Sequence, residues 1–166
     1  MALTPFQRFK YNLVLRFIAA RDIPLIGTAG VRIVDIDDER CTIRVPLKRR
    51  NKNHLGSMYF GALAIGADAA GGLAALLENR RHGNAVNFVF QDFHADFLKR
   101  PEGDTHFTCA DLAAVRGAFV ETMRTGERVS APLRVIATTP SKFGNEPVAE
   151  FRLTLSVKKR PPRQTG

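Results

Sequence analysis

The chain has 166 residues, 45% hydrophobic and 25% charged, which excludes global disorder and suits one domain with a real core. Lysine and arginine outnumber aspartate and glutamate 25 to 16, for a net charge of +9. A basic surface attracts nucleic acid, an anionic membrane or an anionic ligand, but no nucleic-acid reading element accompanies this charge. The two cysteines, Cys41 and Cys109, have no zinc or redox spacing and are expected as buried free thiols.

Residues 4–21 read as an amphipathic helix. Thr4 is placed to cap it, Pro5 fits its first position, and Phe6, Phe9, Leu13, Phe17 and Ile18 fall on one side. This N-terminus lacks an uninterrupted apolar core before small residues, so no signal peptide is expected and the chain is expected in the cytoplasm. Residues 22–30 read as a connector. Residues 31–36 and 41–47 alternate around the polar turn Asp37-Asp38-Glu39-Arg40, the pattern of an antiparallel hairpin. Residues 51–57 form a polar loop.

Residues 58–79 read as one long helix, rich in alanine and glycine. From Gly56 to Leu77 its only formal charge is Asp68. The run has too few large apolar groups to offset a central carboxylate in lipid, so a buried helix is expected and no membrane span. Gly61, Ala62, Ala69 and Gly72 are candidate points of close approach. A desolvated carboxylate is costly without a partner, and this makes Asp68 the most informative residue in the chain.

Residues 85–101 alternate through Val86, Phe88, Phe90, Phe93 and Phe97, with a phase slip near Asp92 that reads as a bulge. A strand at 105–110, a helix at 111–125 stopped by Gly126, and strands at 130–138 and 146–157 complete the pattern. The expected architecture is α+β: an antiparallel sheet on a long central helix, in one domain spanning 1–157. Residues 158–166 are read as a mobile basic tail. The uncovered sheet face or edge implies a homodimer.

The stretch NHLGSMYFGALAIGADAAGG resembles the signature region of the hotdog-fold thioesterases, especially the phenylacetate-pathway type, and within them an uncharacterised branch without the motif histidine. In that family a glycine precedes a His-Gly-Gly triplet, and an acid follows on the helix that the triplet opens. Gly56 matches the leading glycine, Gly61 the last of the triplet and Asp68 the acid, whereas Tyr59 and Phe60 replace the histidine and the middle glycine. The resemblance implies an acyl-CoA thioesterase, with coenzyme A as part of the substrate and no other cofactor. It also implies a homodimer, or a dimer of dimers, with its site at the interface. Asp68 would be the general base and the Gly61 amide of the opposite subunit the oxyanion donor. Asn53 would orient water or the carbonyl, Tyr59 would donate through its hydroxyl, and Ser57 would cap the helix or touch the ligand. Phe60, Phe88 and Phe90 would line an acyl tunnel, and Lys99 and Arg100, or Arg49 and Arg50, would meet the coenzyme A phosphates. The alternatives are a non-catalytic acyl- or lipid-binding hotdog protein, a dehydratase or hydratase on the same fold, and a nucleic-acid binder. A serine nucleophile at Ser57 and a metal pair at Asp92 and His94 have little support, and no two histidines have metal-ligand spacing.

Overall fold

The computed structural model describes residues 3–161. The first helix, α1 (Pro5–Arg21), opens in a capping box. The Thr4 hydroxyl accepts from the Gln7 amide at 3.2 Å, and the Gln7 side chain accepts from the Thr4 amide at 2.9 Å. Its packing corrects the sequence expectation. Leu15, Ile18 and Ala19 are the buried residues, while Phe6, Phe9, Leu13 and Phe17 are 57–66% exposed. Ile18 therefore lies on a different side from the other four. The supposed connector at 22–30 also contains a short helix, α2 (Pro24–Ala29), with proline in its first turn and Gly30 in the left-handed conformation at its end. Ala19 and Gly27 meet where these two helices touch, and a Cβ on Gly27 would lie 3.3 Å from the Ala19 Cβ.

Six strands follow: β1 (Arg32–Ile36), β2 (Cys41–Val45), β3 (Val86–Phe97), β4 (Thr105–Cys109), β5 (Val129–Thr138) and β6 (Pro147–Lys159). They form one antiparallel sheet in the order β1-β2-β4-β5-β6-β3. The β1–β2 hairpin is as expected, its turn closed by the Asp37 carboxylate accepting from the Glu39 and Arg40 amides. β6 continues through Lys158 and Lys159, which the sequence pattern assigns to the tail; these residues pair with Asn87 and Val86. Arg160, also assigned to the tail, is held as well, its amide donating to the Ala85 carbonyl at 2.8 Å, and residues 162–166 of the expected tail lie outside the described residues.

The long helix α3 (Phe60–Arg81) packs on β2, β4 and β5, and α4 (Leu112–Thr125) packs beside it on β5 and β6. An antiparallel sheet wrapped on a central helix, with an extra N-terminal helix, is the hotdog fold. α3 is long and apolar enough by composition to cross a membrane, yet it lies against the sheet with Ala67, Ala70 and Ala75 fully buried. The contact is closest at Gly66, where a Cβ would meet the Phe107 ring at 2.4 Å. Phe107, Phe119 and Phe151 have no exposed surface, and each such ring contributes roughly 2–3 kcal/mol by burial. Cys41 and Cys109 are free, buried and register partners across β2 and β4. Burial pushes both thiols up, Cys109 to about 11.

β3 forms one edge of the sheet. Its bulge lies between Phe90 and Phe93, where the strand takes three steps against two on β6. The Asp92 carboxylate fills the break by accepting from the Thr154 amide at 2.9 Å. The extra residue restores phase, so Phe93 and Phe97 reach Phe151 with ring centroids 5.6 and 6.3 Å away. Both nevertheless remain about half exposed, as does Val89.

Candidate active site

Asp68 lies on the face of α3 that looks toward β3, α2 and the end of α1. It opens into a cavity of 450 Å³ whose other lining includes Ile18, Ile23, Ile26, Leu73, Phe88 and Phe90. Asp22, at the end of α1, is a second carboxylate on this wall. Gly71 lets the Phe90 ring pack closely on α3, since a Cβ there would lie 3.2 Å from that ring, and Gly72 lines the cavity beside it. Among the described residues no hydrogen bond or ion pair reaches the Asp68 carboxylate. Burial alone raises its pKa above the ordinary 3.8. An unpaired acid in an apolar cavity is suited to holding or taking a proton from a bound ligand or water.

Gly61 occupies the first turn of α3, whose N-cap is Tyr59 with no side-chain cap bond. The Ala62 and Leu63 amides bond to the Tyr59 carbonyl, and no described acceptor meets the Gly61 amide. The helix start is fixed from behind by two bonds: Tyr59 donates to the Asn51 carbonyl at 2.8 Å, and Met58 donates to the Pro101 carbonyl at 2.9 Å. Asn51 is itself buried and donates to the Ala29 and Pro46 carbonyls. The Tyr59 ring folds over Gly61, where a Cβ would lie 2.6 Å from it, and stacks at a tilt on Phe60 with centroids 4.7 Å apart. Tyr59 is about half exposed and Phe60 somewhat more.

Asp68 lies seven positions after Gly61. At about 1.5 Å rise and 100° per residue, the two lie on nearly the same helix face but roughly 10 Å apart. The Asp68 carboxylate and the Gly61 amide thus belong to helix positions about two turns apart. Gly61, Tyr59 and Phe60 are absent from the lining of the Asp68 cavity, as are Asn53, Gly56 and Ser57. The last three belong to a closed loop. The Asn53 side chain accepts from the Leu55 and Ser57 amides and lies 3.0 Å from the Ser57 hydroxyl. Gly56 supplies the left-handed turn at φ +79°. Ser57 is 2% exposed and faces Asn53.

The proposed phosphate contacts lie elsewhere. Lys99 pairs with Glu146, and Arg100 lies 3.9 Å from Glu102. Arg49 and Arg50 sit on a short 3-10 turn outside the cavity. His94 pairs with Asp96 at 3.2 Å rather than with Asp92, and no cluster among the described residues is fit to hold a metal. Sequence reasoning missed Asp22, Ile23 and Ile26 because it read their segment as a connector. Pro24 and Gly30, bracketing that segment, were the available signal.

Fold and site together describe a hotdog-type protein with one unpaired acid in an apolar cavity on its central helix. The chain belongs to the family described as domain of unknown function DUF4442, whose model matches residues 12–157. No curated protein matches it. Among solved structures it is similar to a Chlorobaculum tepidum protein of unknown function, OLEI01261, at 17% identity and a TM-score of 0.78, covering 92% of this chain and 97% of that one. It is also similar to Pseudomonas aeruginosa PA5026, described as a protein of unknown function and probable thioesterase, at 22% identity and a TM-score of 0.72, covering 89% and 95%. A third is Haemophilus influenzae thioesterase HI1161, at 14% identity and a TM-score of 0.65, covering 92% and 94%. At these identities the likeness establishes the fold.

Proposed function

We propose that the protein is an acyl-CoA thioesterase acting as a homodimer, with each site built from both subunits. The observation that carries this reading is Asp68: an acid with no partner in its own chain, facing an apolar cavity that suits an acyl group. The name of HI1161 and the description of PA5026 point to the same chemistry.

In this mechanism the Asp68 carboxylate takes a proton from water as the water oxygen bonds to the thioester carbon. The resulting oxyanion is held by the partner subunit's Gly61 amide, aided by the positive end of α3. Collapse of the tetrahedral intermediate breaks the carbon–sulfur bond. The acyl group leaves as a carboxylic acid, and the thiolate takes the proton from Asp68. Tyr59 stands where relatives of the resembled type carry histidine; its exposed hydroxyl is free to donate to the carbonyl or the thioester sulfur. Ile18, Ile23, Phe88 and Phe90 hold the chain. Asn53 and Ser57 serve by shaping the loop that leads into α3, and Phe60 narrows the groove.

The β3 edge supports the dimer. Its outer backbone groups are unpaired in the monomer, and Val89, Phe93 and Phe97 leave apolar surface beside them. In the proposed dimer, pairing two such edges joins two six-stranded sheets and brings two copies of α3 together, so that the Asp68 of one subunit can work with the Gly61 of the other. A dimer of dimers would bury further surface. The second reading, a non-catalytic acyl-CoA binder, draws on the loss of the motif histidine and on the Tyr59 ring lying over Gly61.

Thiol release from a panel of short, medium and long acyl-CoAs, measured for the native protein and Asp68→Asn, tests the proposal. Hydrolysis of at least one class by the native protein, with loss of about 10²-fold or more in the variant, is the expected result. Equal turnover in both would remove Asp68 from the chemistry. Saturable acyl-CoA binding without turnover would decide for the second reading.

A further inference from the structure

We infer that α1 is a docking helix for an anionic phospholipid surface. The helix presents Phe6, Phe9, Leu13 and Phe17 to solvent, each more than half exposed, while Leu15, Ile18 and Ala19 on its other side hold it to the domain. At about 100° per residue the four exposed side chains fall within an arc of roughly 80°. Lys10 flanks that arc on one side, with Arg21, itself 3.9 Å from the Asp22 carboxylate, beyond it, and Arg16 flanks the other. The sequence of α1 contains no acid. An apolar stripe between rows of cations, on a helix lying flat against its domain, is the pattern of a helix that sits in the headgroup boundary.

The charge beside the stripe favours lipid over a protein surface of mixed charge. A cleft of 540 Å³ runs along α1, α2 and β1, and its cationic lining is Arg16, Arg32 and Arg50. Among the described residues none of these, nor Arg8 or Lys10, is ion-paired. Lys10 lies over the Phe6 ring, 4.6 Å from its centroid, so the cation and the aromatic stripe share one surface. Lipid phosphates would meet these cations while the rings reach past them. A second copy of the same helix would place cations against cations with no acid on α1 to answer them. Past the end of α1, Ile23 and Leu25 are exposed as well, and Ile23 also lines the Asp68 cavity. Docking through α1 would thus bring the cavity close to the bilayer. The docking surface stands whether or not Asp68 is catalytic.

The test is cosedimentation of the full chain with two kinds of vesicle, pure phosphatidylcholine and phosphatidylcholine with about one third phosphatidylglycerol. Binding to the anionic vesicles alone, released by added salt, is expected. Phe9→Ser with Phe17→Ser should weaken that binding at least about tenfold, and Lys10→Glu with Arg16→Glu should do the same. Both variants should keep the native melting temperature and solution mass. No binding to anionic vesicles at low salt, equal binding to both vesicle types, or variants that bind like the native chain would each overturn the inference. So would a lower solution mass in the Phe9 and Phe17 variant, which would make the stripe a contact between copies of the chain.

Discussion

The two longest helices solve opposite problems. From Phe60 to Leu77 α3 is mostly buried and carries a single charge, Asp68, whereas α1 is basic and shows its largest apolar side chains to solvent. In α3 the bulky groups come from the sheet, and glycine and alanine admit them; Phe107 sits where Gly66 has no side chain. In α1 the small residue faces inward, because Ala19 must accommodate α2 at Gly27. Burial in this fold follows the closeness of backbones more than the size of side chains. A charge inside and an aromatic stripe outside are then the two places where each helix departs from what packing alone asks for, and both are where function is sought.

The largest effect should come from the departure inside α3. Asp68→Asn is expected to lower turnover by about 10²-fold or more. In the native enzyme the carboxylate must be ionised to act as base, and burial holds its pKa above 3.8. The acid limb of the pH–rate profile should therefore lie above the ordinary aspartate range and vanish in the variant. Stability should move the other way. A raised pKa means the folded state holds the proton more tightly, so this contribution is present at low pH and lost as pH rises through the folded value. At neutral pH the variant should be more stable than the native chain, by on the order of 1 kcal/mol, with no gain below the ordinary carboxylate range. Urea melts at acid and neutral pH check the sign. A variant less stable at neutral pH would mean that Asp68 has a favourable partner in the assembled protein.

The packing side of the comparison breaks at Gly66. Gly66→Ala adds helix propensity worth about 1 kcal/mol but drives a methyl group into a fully buried ring. Net destabilisation of about 2 kcal/mol is expected in urea melts. Gly72→Ala, where the nearest atom is 3.8 Å away, should be neutral or stabilising. A similar loss at both sites would show that α3 does not lie as close to β4 as it does here.

These glycines show how far the sequence could be read. Alternation gave the sheet strands, the alanine-rich run gave α3, and the slip near Asp92 marked the bulge that the β3–β6 register contains. Which glycine makes the closest approach is not legible in the sequence, because it depends on which strand residue crosses α3, a contact between positions 66 and 107. The packing side of α1 was misread for a related reason: periodicity weights the large apolar residues, and the domain instead buries Leu15, Ile18 and the small Ala19. For the site, Asp68 stood out as an isolated charge and its cavity partners Phe88 and Phe90 as alternating aromatics. Asp22 and Ile23 did not, since a six-residue helix carries too little periodicity to announce a face.

A smaller effect is expected at the β3 edge, where the comparison gains a third apolar surface. Phe93→Asp puts a charge on a side chain that is already 44% exposed and touches Phe151 at one side. If two β3 edges pair, the variant should weaken the dimer by about 10- to 100-fold in sedimentation equilibrium, with activity falling alongside. A dimer of unchanged strength would move the interface away from this edge.

The smallest effect should be the stability change from the outer face of α1, and its smallness is informative. Phe9→Ser and Phe17→Ser remove rings that are 66% and 63% exposed, so each should alter the unfolding free energy by no more than about 0.5 kcal/mol. A loss of several kcal/mol would mean that the stripe packs against something in the folded assembly, and the freedom of α1 to meet a membrane would go with it. Near-neutral stability would instead leave four large apolar side chains for which the fold has no use, on the helix with the most uncompensated positive charge, and a binding role would be the remaining physical reason for them to be there.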